Sequence, residues 1–294
     1  MTRWTAFAGL TGVVLILLLG LARLSAAQFS STPQPDSPEG GGDGGDDFRR
    51  GPEDAAPAAP SRYRSLSDAD TTLSTPERSP VAVAEPRASM SPGALLTNVA
   101  LSQGLFGAML VAVAAWAEVP AAALGLVPLA TATDVALGVG LGTALWLASE
   151  AAGRIAERVG VEVNEALRGA LAPDTAVGWA VLLLAVLPLV ALFEEFLFRA
   201  ALVGALSAGF NAPAWLPATV AGLDPWPWLL AVGSSVAFAL GHGAQGRAGI
   251  VATGVLGCVL AGAFVLTESF ALVVVAHYVV NALTLVVHEG LGVD

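Results

Sequence analysis

TAVGWAVLLLAVLPLVALF, from Thr175 to Phe193, runs without a charge and then breaks on the adjacent carboxylates Glu194 and Glu195. A stretch of this length and hydropathy is what a helix needs to cross the hydrocarbon of a bilayer, about 20 apolar residues. Working outward, the charges punctuate the chain. Nothing is charged between Arg87 and Glu118, and only Asp134 is charged from Val119 to Ser149. Ala200 to Leu223, Pro225 to Gly246, Ala248 to Thr267 and Ser269 to His288 also carry no acid or arginine. No run shows the alternating ten-residue pattern of a membrane barrel. The reading is all-α: a polytopic integral membrane helical bundle of about seven or eight transmembrane helices. The Ala200–Leu223 run, broken by Gly209, Pro213 and Pro217, is expected to return across the bilayer.

Composition agrees. Of 294 residues, 55% are hydrophobic and 13% charged, about half the charged share of a soluble domain. The mean hydropathy is +0.71. The net charge is −11 and every basic residue is arginine. Eleven of the 24 acids fall between Asp36 and Glu85, so the acidity belongs to a linker and not to the membrane part. No basic footprint for nucleic acid exists. Acid-rich, lysine-free usage suits a salt-loving prokaryote, or a GC-rich genome, and the expected location is the prokaryotic cell membrane.

Three domains are expected. Residues 1–27 form an N-terminal transmembrane helix or a signal peptide, with Ser25-Ala26-Ala27 resembling a cleavage site; the retained helix is preferred. Residues 28–92 are an acidic Pro/Gly-rich disordered linker, too poor in apolar side chains to offset ordering entropy. Residues 93–294 are the membrane-embedded helical domain. Within it, residues 150–174 form a polar loop whose three arginines favour the cytoplasm.

Polar groups at lipid depth are costly, so they are functional candidates. Glu195 and Arg199 stand four apart and can pair on one helix face. Glu194 is turned about 100° away and lacks that partner. His242 ends an apolar run, with Phe238 one turn back on the same face. His277 and Asn281 stand one turn apart in the last apolar run and must find partners there. The plain alternatives are a charged helix end, an interfacial histidine and a helix–helix hydrogen bond. One carboxylate, two histidines and an amide in a low-dielectric pocket suit hydrolysis, which needs a base, a water and oxyanion donors.

Other polar positions read as structural. Cys258 reads as a small buried hydrophobe. Trp226 and Trp228 read as interfacial anchors. Glu268 and Ser269 read as a loop, and His288 and Glu289 as the solvated end of the last helix. Asp134 and Glu150 receive no catalytic role.

Taken in order, Glu194-Glu195-x-x-x-Arg199, Phe238-x-x-x-His242 and His277-x-x-x-Asn281 resemble the three signature motifs of the CPBP intramembrane proteases, the ABI family that includes the type II CAAX prenyl endopeptidases. The resemblance covers about residues 175–288. It implies that Glu194 is the general base, that His242 positions the water, and that His277 and Asn281 stabilise the oxyanion. Glu195 and Arg199 would support the helix geometry. It implies an endopeptidase acting on a membrane-associated substrate, of the prenylated CAAX type where the source makes one. A metal-free mechanism is favoured and no cofactor is expected, although Glu194, His242 and His277 could form a three-ligand zinc site. Two other readings stay open: a non-proteolytic membrane scaffold or maturation partner, and a small transporter, which would more readily show paired halves.

Overall fold

The computed structural model describes residues 1–30, 91–127, 130–159 and 166–292. The expected linker lies almost wholly outside the described residues. Eight helices are described: α1 (Trp4–Ser30), α2 (Pro92–Trp116), α3 (Ala132–Arg158), the short α4 (Ala166–Leu171), α5 (Ala176–Gly209), α6 (Pro225–Gly241), α7 (Gly246–Thr267) and α8 (Phe270–Leu285). A final turn carries α8 on to Gly290. Six described helices are long and apolar enough to cross a membrane, and α6 is a shorter apolar one. The chain is thus an all-α membrane bundle.

The sparse polar residues between spans begin the helices. Ser91, Thr131, Thr175, Asp224 and Ser269 each accept a hydrogen bond from a backbone N–H of the first turn of α2, α3, α5, α6 and α8. Such caps satisfy donors that the helix itself cannot. Asp134 closes a reciprocal box with Thr131, its carboxylate accepting from the Thr131 backbone N–H at 2.8 Å. Its place in mid-run is therefore structural. Glu268 ends α7 in the left-handed region at φ 51°, and Ser269 starts α8.

One expectation is corrected. Ala200–Leu223 does not return across the bilayer. Residues 200–209 complete α5, a single helix of 34 residues. Residues 210–224 are irregular, with a lone bridge between Val220 and Leu223. Pro213 and Pro217 each lack the N–H that a helix needs, and Gly209 adds backbone freedom. Glu194 consequently lies in the middle of α5, not at the start of a span.

α5 is not a uniform α-helix. Leu182–Val186 and Phe196–Ala205 are wound as π-helix. The first segment ends two residues before Pro188, whose ring would clash with the carbonyl of Leu184 in a regular α-helix. The second begins immediately after Glu195. There the Ser234 hydroxyl of α6 donates to the carbonyl of Phe198. Widened turns of this kind often mark functional sites.

Packing is closest where side chains are smallest. Gly138 and Gly142 of α3 face α8, one turn apart. A Cβ on Gly138 would stand 2.8 Å from the Leu272 carbonyl oxygen, and one on Gly142 would stand 2.6 Å from that of Ala276. The two backbones meet as in other small-xxx-small membrane contacts. The main core gathers Phe193, Phe196, Leu197 and Phe198 of α5 with Phe238, Phe264, Phe270 and Val273. Large apolar side chains such as Ile16, Leu105, Leu184 and Val251 point outward, where a bilayer would cover them.

Cys258, His288 and Glu289 differ from expectation. Cys258 is exposed on the outer face of α7, not buried. The Trp226 indole N–H donates to the Phe210 carbonyl at 3.0 Å, and Trp228 lies against Gly262. Both are half-buried, whereas Trp215, in the irregular segment, is 71% exposed. His288 and Glu289 are not a solvated end. His288 Nε2 lies 2.8 Å from Glu150 of α3, and Arg168 of α4 donates to Glu289 at 2.7 Å. All four are largely buried, so these pairs tie the end of α8 to its neighbours.

Candidate active site

The middle of α5 carries Glu194, Glu195 and Arg199. Glu195 and Arg199 are both fully buried. They pair at 2.9 Å between Glu195 Oε1 and Arg199 Nη1, across the four-residue spacing anticipated from sequence. A lone buried guanidinium would be costly, and this one is met from three sides. Its second terminal nitrogen donates to the Gly257 carbonyl of α7 at 3.0 Å. Its plane lies 4.7 Å from the centre of the Phe238 ring. The cation meets the ring's negative face, an attraction strengthened by desolvation.

α8 brings in His277, which is 3% exposed. Its Nδ1 lies 2.7 Å from Glu195 Oε1, and its Nε2 lies 3.7 Å from Glu194 Oε2. The imidazole therefore spans two carboxylates that are adjacent in sequence. The first distance is a hydrogen bond and the second is longer than one. Sequence reasoning gave Glu195 to structure and Glu194 to chemistry. In the fold one ring joins them. A carboxylate paired with arginine accepts, so Nδ1 carries the proton that it donates to Glu195. Four ionisable groups meet here: Glu194, Glu195, Arg199 and His277. Their formal charges cancel when Glu194 and His277 hold one proton beyond the neutral imidazole.

α6 ends at His242. The His242 Nδ1 lies 2.8 Å from the Phe238 carbonyl oxygen. A carbonyl only accepts, so Nδ1 carries the proton, and in the neutral ring Nε2 is left as an acceptor. Phe238 is the common neighbour. Its ring centre lies 4.6 Å from that of His242 and 6.0 Å from that of His277, the latter edge-on. Phe198 stacks edge-on to it at 5.0 Å. Phe238 thus touches Arg199, His242 and His277, a larger part than its place one turn before His242 suggests.

Asn281 lies one turn beyond His277 on α8. It is partly buried and its carboxamide makes no hydrogen bond to the described residues. Glu194 is 12% exposed, and its Oε2 has no hydrogen-bond partner among the described residues. The groups without a hydrogen bond to the described residues are therefore the Glu194 carboxylate, Nε2 of both histidines and the Asn281 amide, together with the fully buried Glu195 Oε2 and Arg199 Nε. Among the described residues no three His, Cys, Asp or Glu side chains gather as a metal-binding group. Of the set Glu194, His242 and His277, Glu194 lies near His277, and both histidines lie against Phe238.

Two contributors were missed from sequence. Gly257 leaves room for Phe238, since a Cβ there would stand 3.1 Å from its ring, and lends its carbonyl to Arg199. Gly142 lets α3 reach the Ala276 backbone, directly before His277. The signal for the second was present as glycines four apart; the first has no sequence signal beyond a glycine in an apolar helix.

The description "type II CAAX prenyl endopeptidase Rce1-like" belongs to the family whose pattern matches residues 176–283, which run from the start of α5 into α8. No curated protein and no solved structure matches the chain. The matched segment holds Glu194, Glu195, Arg199, Phe238, His242, His277 and Asn281 together. An all-helical membrane bundle and a match over its polar centre agree: residues 176–283 are similar to the type II CAAX prenyl endopeptidases of the Rce1-like family.

Proposed function

We propose that the protein is an intramembrane endopeptidase that hydrolyses a peptide bond of a membrane-associated substrate, with Glu194 as general base. The observation that carries this reading is the placement of His277 between Glu195, whose Oε1 is held by both Arg199 and the imidazole, and Glu194, which makes no hydrogen bond to the described residues. Arg199 neutralises Glu195, so Glu195 is committed to holding the imidazole. Glu194 keeps an open carboxylate within reach of the same ring.

In the proposed reaction Glu194 takes a proton from water and the hydroxide attacks the scissile carbonyl carbon. His242 accepts a hydrogen bond from that water through Nε2 and so orients it. The carbonyl oxygen becomes an oxyanion. The Nε2–H of protonated His277 and the Asn281 amide donate to it. The tetrahedral centre collapses, the C–N bond breaks, and Glu194 returns its proton to the leaving nitrogen. The products are a carboxylic acid and an amine, between which the last proton passes to give a carboxylate and an ammonium group in water. Preformed donors in a low-dielectric site are worth more than in water, which is how this arrangement would lower the barrier. Glu195, Arg199 and Phe238 touch no reacting atom in this scheme and act as positioning residues.

The substrate class follows from the family and the bilayer: a membrane-anchored peptide, with prenylated CAAX-type peptides as first candidates. The test is cleavage by purified protein in lipid, read by mass spectrometry on prenylated and plain membrane-anchored peptides. Wild type is compared with Glu194→Gln, each with and without chelator. Cleavage that is lost in the variant and kept with chelator is the expected result. Loss with chelator and recovery with zinc would replace the metal-free scheme. Well-folded wild type that cleaves no peptide would favour a scaffold.

A further inference from the structure

α1 lies outside the segment that matches the family, yet it is built into the bundle. Its buried positions form one stripe: Phe7 and Thr11 are fully buried, and Val14 is 2% exposed. Leu15 and Leu18 continue that stripe against the core, whereas Ile16 and Leu17 face outward at 70% and 50% exposure. At its beginning the helix is fastened. The Arg3 backbone N–H donates to the Ala117 carbonyl at 2.8 Å, the Arg3 guanidinium sits 4.8 Å from the Trp116 ring centre, and Trp4 fills the space over Gly209.

The other end of α1 reaches the site. It packs against α6 and against the tight turn Gly243–Gln245 that follows His242. A Cβ on Gly241 would stand 3.9 Å from Leu19 Cδ2, an ordinary contact. His242 is thus flanked in sequence by Gly241 and Gly243, which bring no side chains to cover it. Phe238 covers one side of the imidazole. The cover over the glycine-flanked turn comes from α1.

We infer that α1 is a wall of the active site, with Leu19 a positioning residue that holds the His242 turn in place and covers its glycine-flanked side. The role attaches to His242 as a member of the site proposed above. The packing itself stands without that reading, so the test reads the imidazole and not turnover.

The chain has three histidines, so selective ¹⁵N labelling of the full-length protein in lipid gives three imidazole spin systems, assigned by His242→Asn and His288→Gln. A site for a specific protease, inserted between residues 31 and 90, allows the connection between α1 and α2 to be cut. The expected result is that cut α1 co-elutes with the remaining chain and that His242 retains its Nδ1–H signal. Leu19→Ala, with Leu18→Ala, should shift the His242 signal and speed its proton exchange, leaving His277 and His288 in place. Leu19→Met should restore it. Ile16→Ala, on the outward face, should change nothing. Separation of cut α1 from the rest would overturn the inference. So would a His242 signal that is the same in Leu18→Ala/Leu19→Ala as in wild type. If the double variant fails to fold, the elution of the cut wild-type chain and its His242 signal still decide.

Discussion

His277 and Glu195, 82 positions apart in sequence, meet at 2.7 Å, and the same Glu195 oxygen also accepts from Arg199 at 2.9 Å. The ring that faces Glu194 is therefore oriented by a carboxylate whose charge is already matched. Neutralising either glutamate should have different consequences, although the two are neighbours in the chain.

Glu194→Gln should leave the bundle intact, because its carboxylate makes no hydrogen bond within the described residues. Turnover should fall on the order of 10²–10⁴-fold, the usual worth of a general base. Size-exclusion elution and thermal unfolding should match wild type. Substantial activity in a purified, folded variant would remove Glu194 from the mechanism.

Glu195→Gln should act through the fold. It leaves Arg199 buried without its counter-charge, a change that costs about 3–5 kcal/mol in comparable buried pairs. The double variant Glu195→Gln/Arg199→Met, which removes both charges, should recover much of the lost stability in denaturation experiments. If the single variant unfolds at the wild-type temperature, the pair is not the strut described above.

The pH dependence of kcat/KM should show an acid limb of unit slope. A carboxylate base works only when ionised, so the rate should be lost at acidic pH. Whatever residual rate Glu194→Gln retains should lack that limb. A wild-type profile that is flat down to strongly acidic pH would argue for another base.

Gly142→Leu should impair the site without touching it. The new side chain would run into the Ala276 backbone and push α8 from α3, and with it His277. Overpacking of this kind costs about 1–3 kcal/mol. Gly140→Ala is the control, since a Cβ there meets nothing within 4 Å. Equal melting temperatures and rates for the two variants would show that the seam does not hold His277.

The helices were legible in sequence because charge interrupts hydropathy so cleanly. The pair Glu195–Arg199 was legible because a helix places residues four apart on one face. What escaped was whatever depended on a helix's departures from regularity or on its neighbours. Ala200–Leu223 reads as a span by hydropathy alone; the prolines at 213 and 217 decide otherwise through backbone donors, which hydropathy does not count. The apolar helices are apolar all round, so their periodicity does not say which face is buried. Cys258 was assigned inward for that reason and was misplaced. The salt-linked end of α8 was hidden because Glu150, Arg168, His288 and Glu289 come from three separate helices. The bond from His277 to Glu195 was likewise invisible, as nothing local to either residue announces a partner 82 positions away.

The chain's only thiol, Cys258, stands on the outward face of α7, and Val255, one turn before it, and Val259, next to it, are exposed too. The molecule therefore offers one native attachment point for a spin label or a fluorophore, with no cysteine to delete beforehand. A reporter there sits on the helix whose Gly257 carbonyl receives Arg199, one residue away on the inward side. Spectroscopy from that position would sample lipid on one side of α7 while the buried arginine is held on the other.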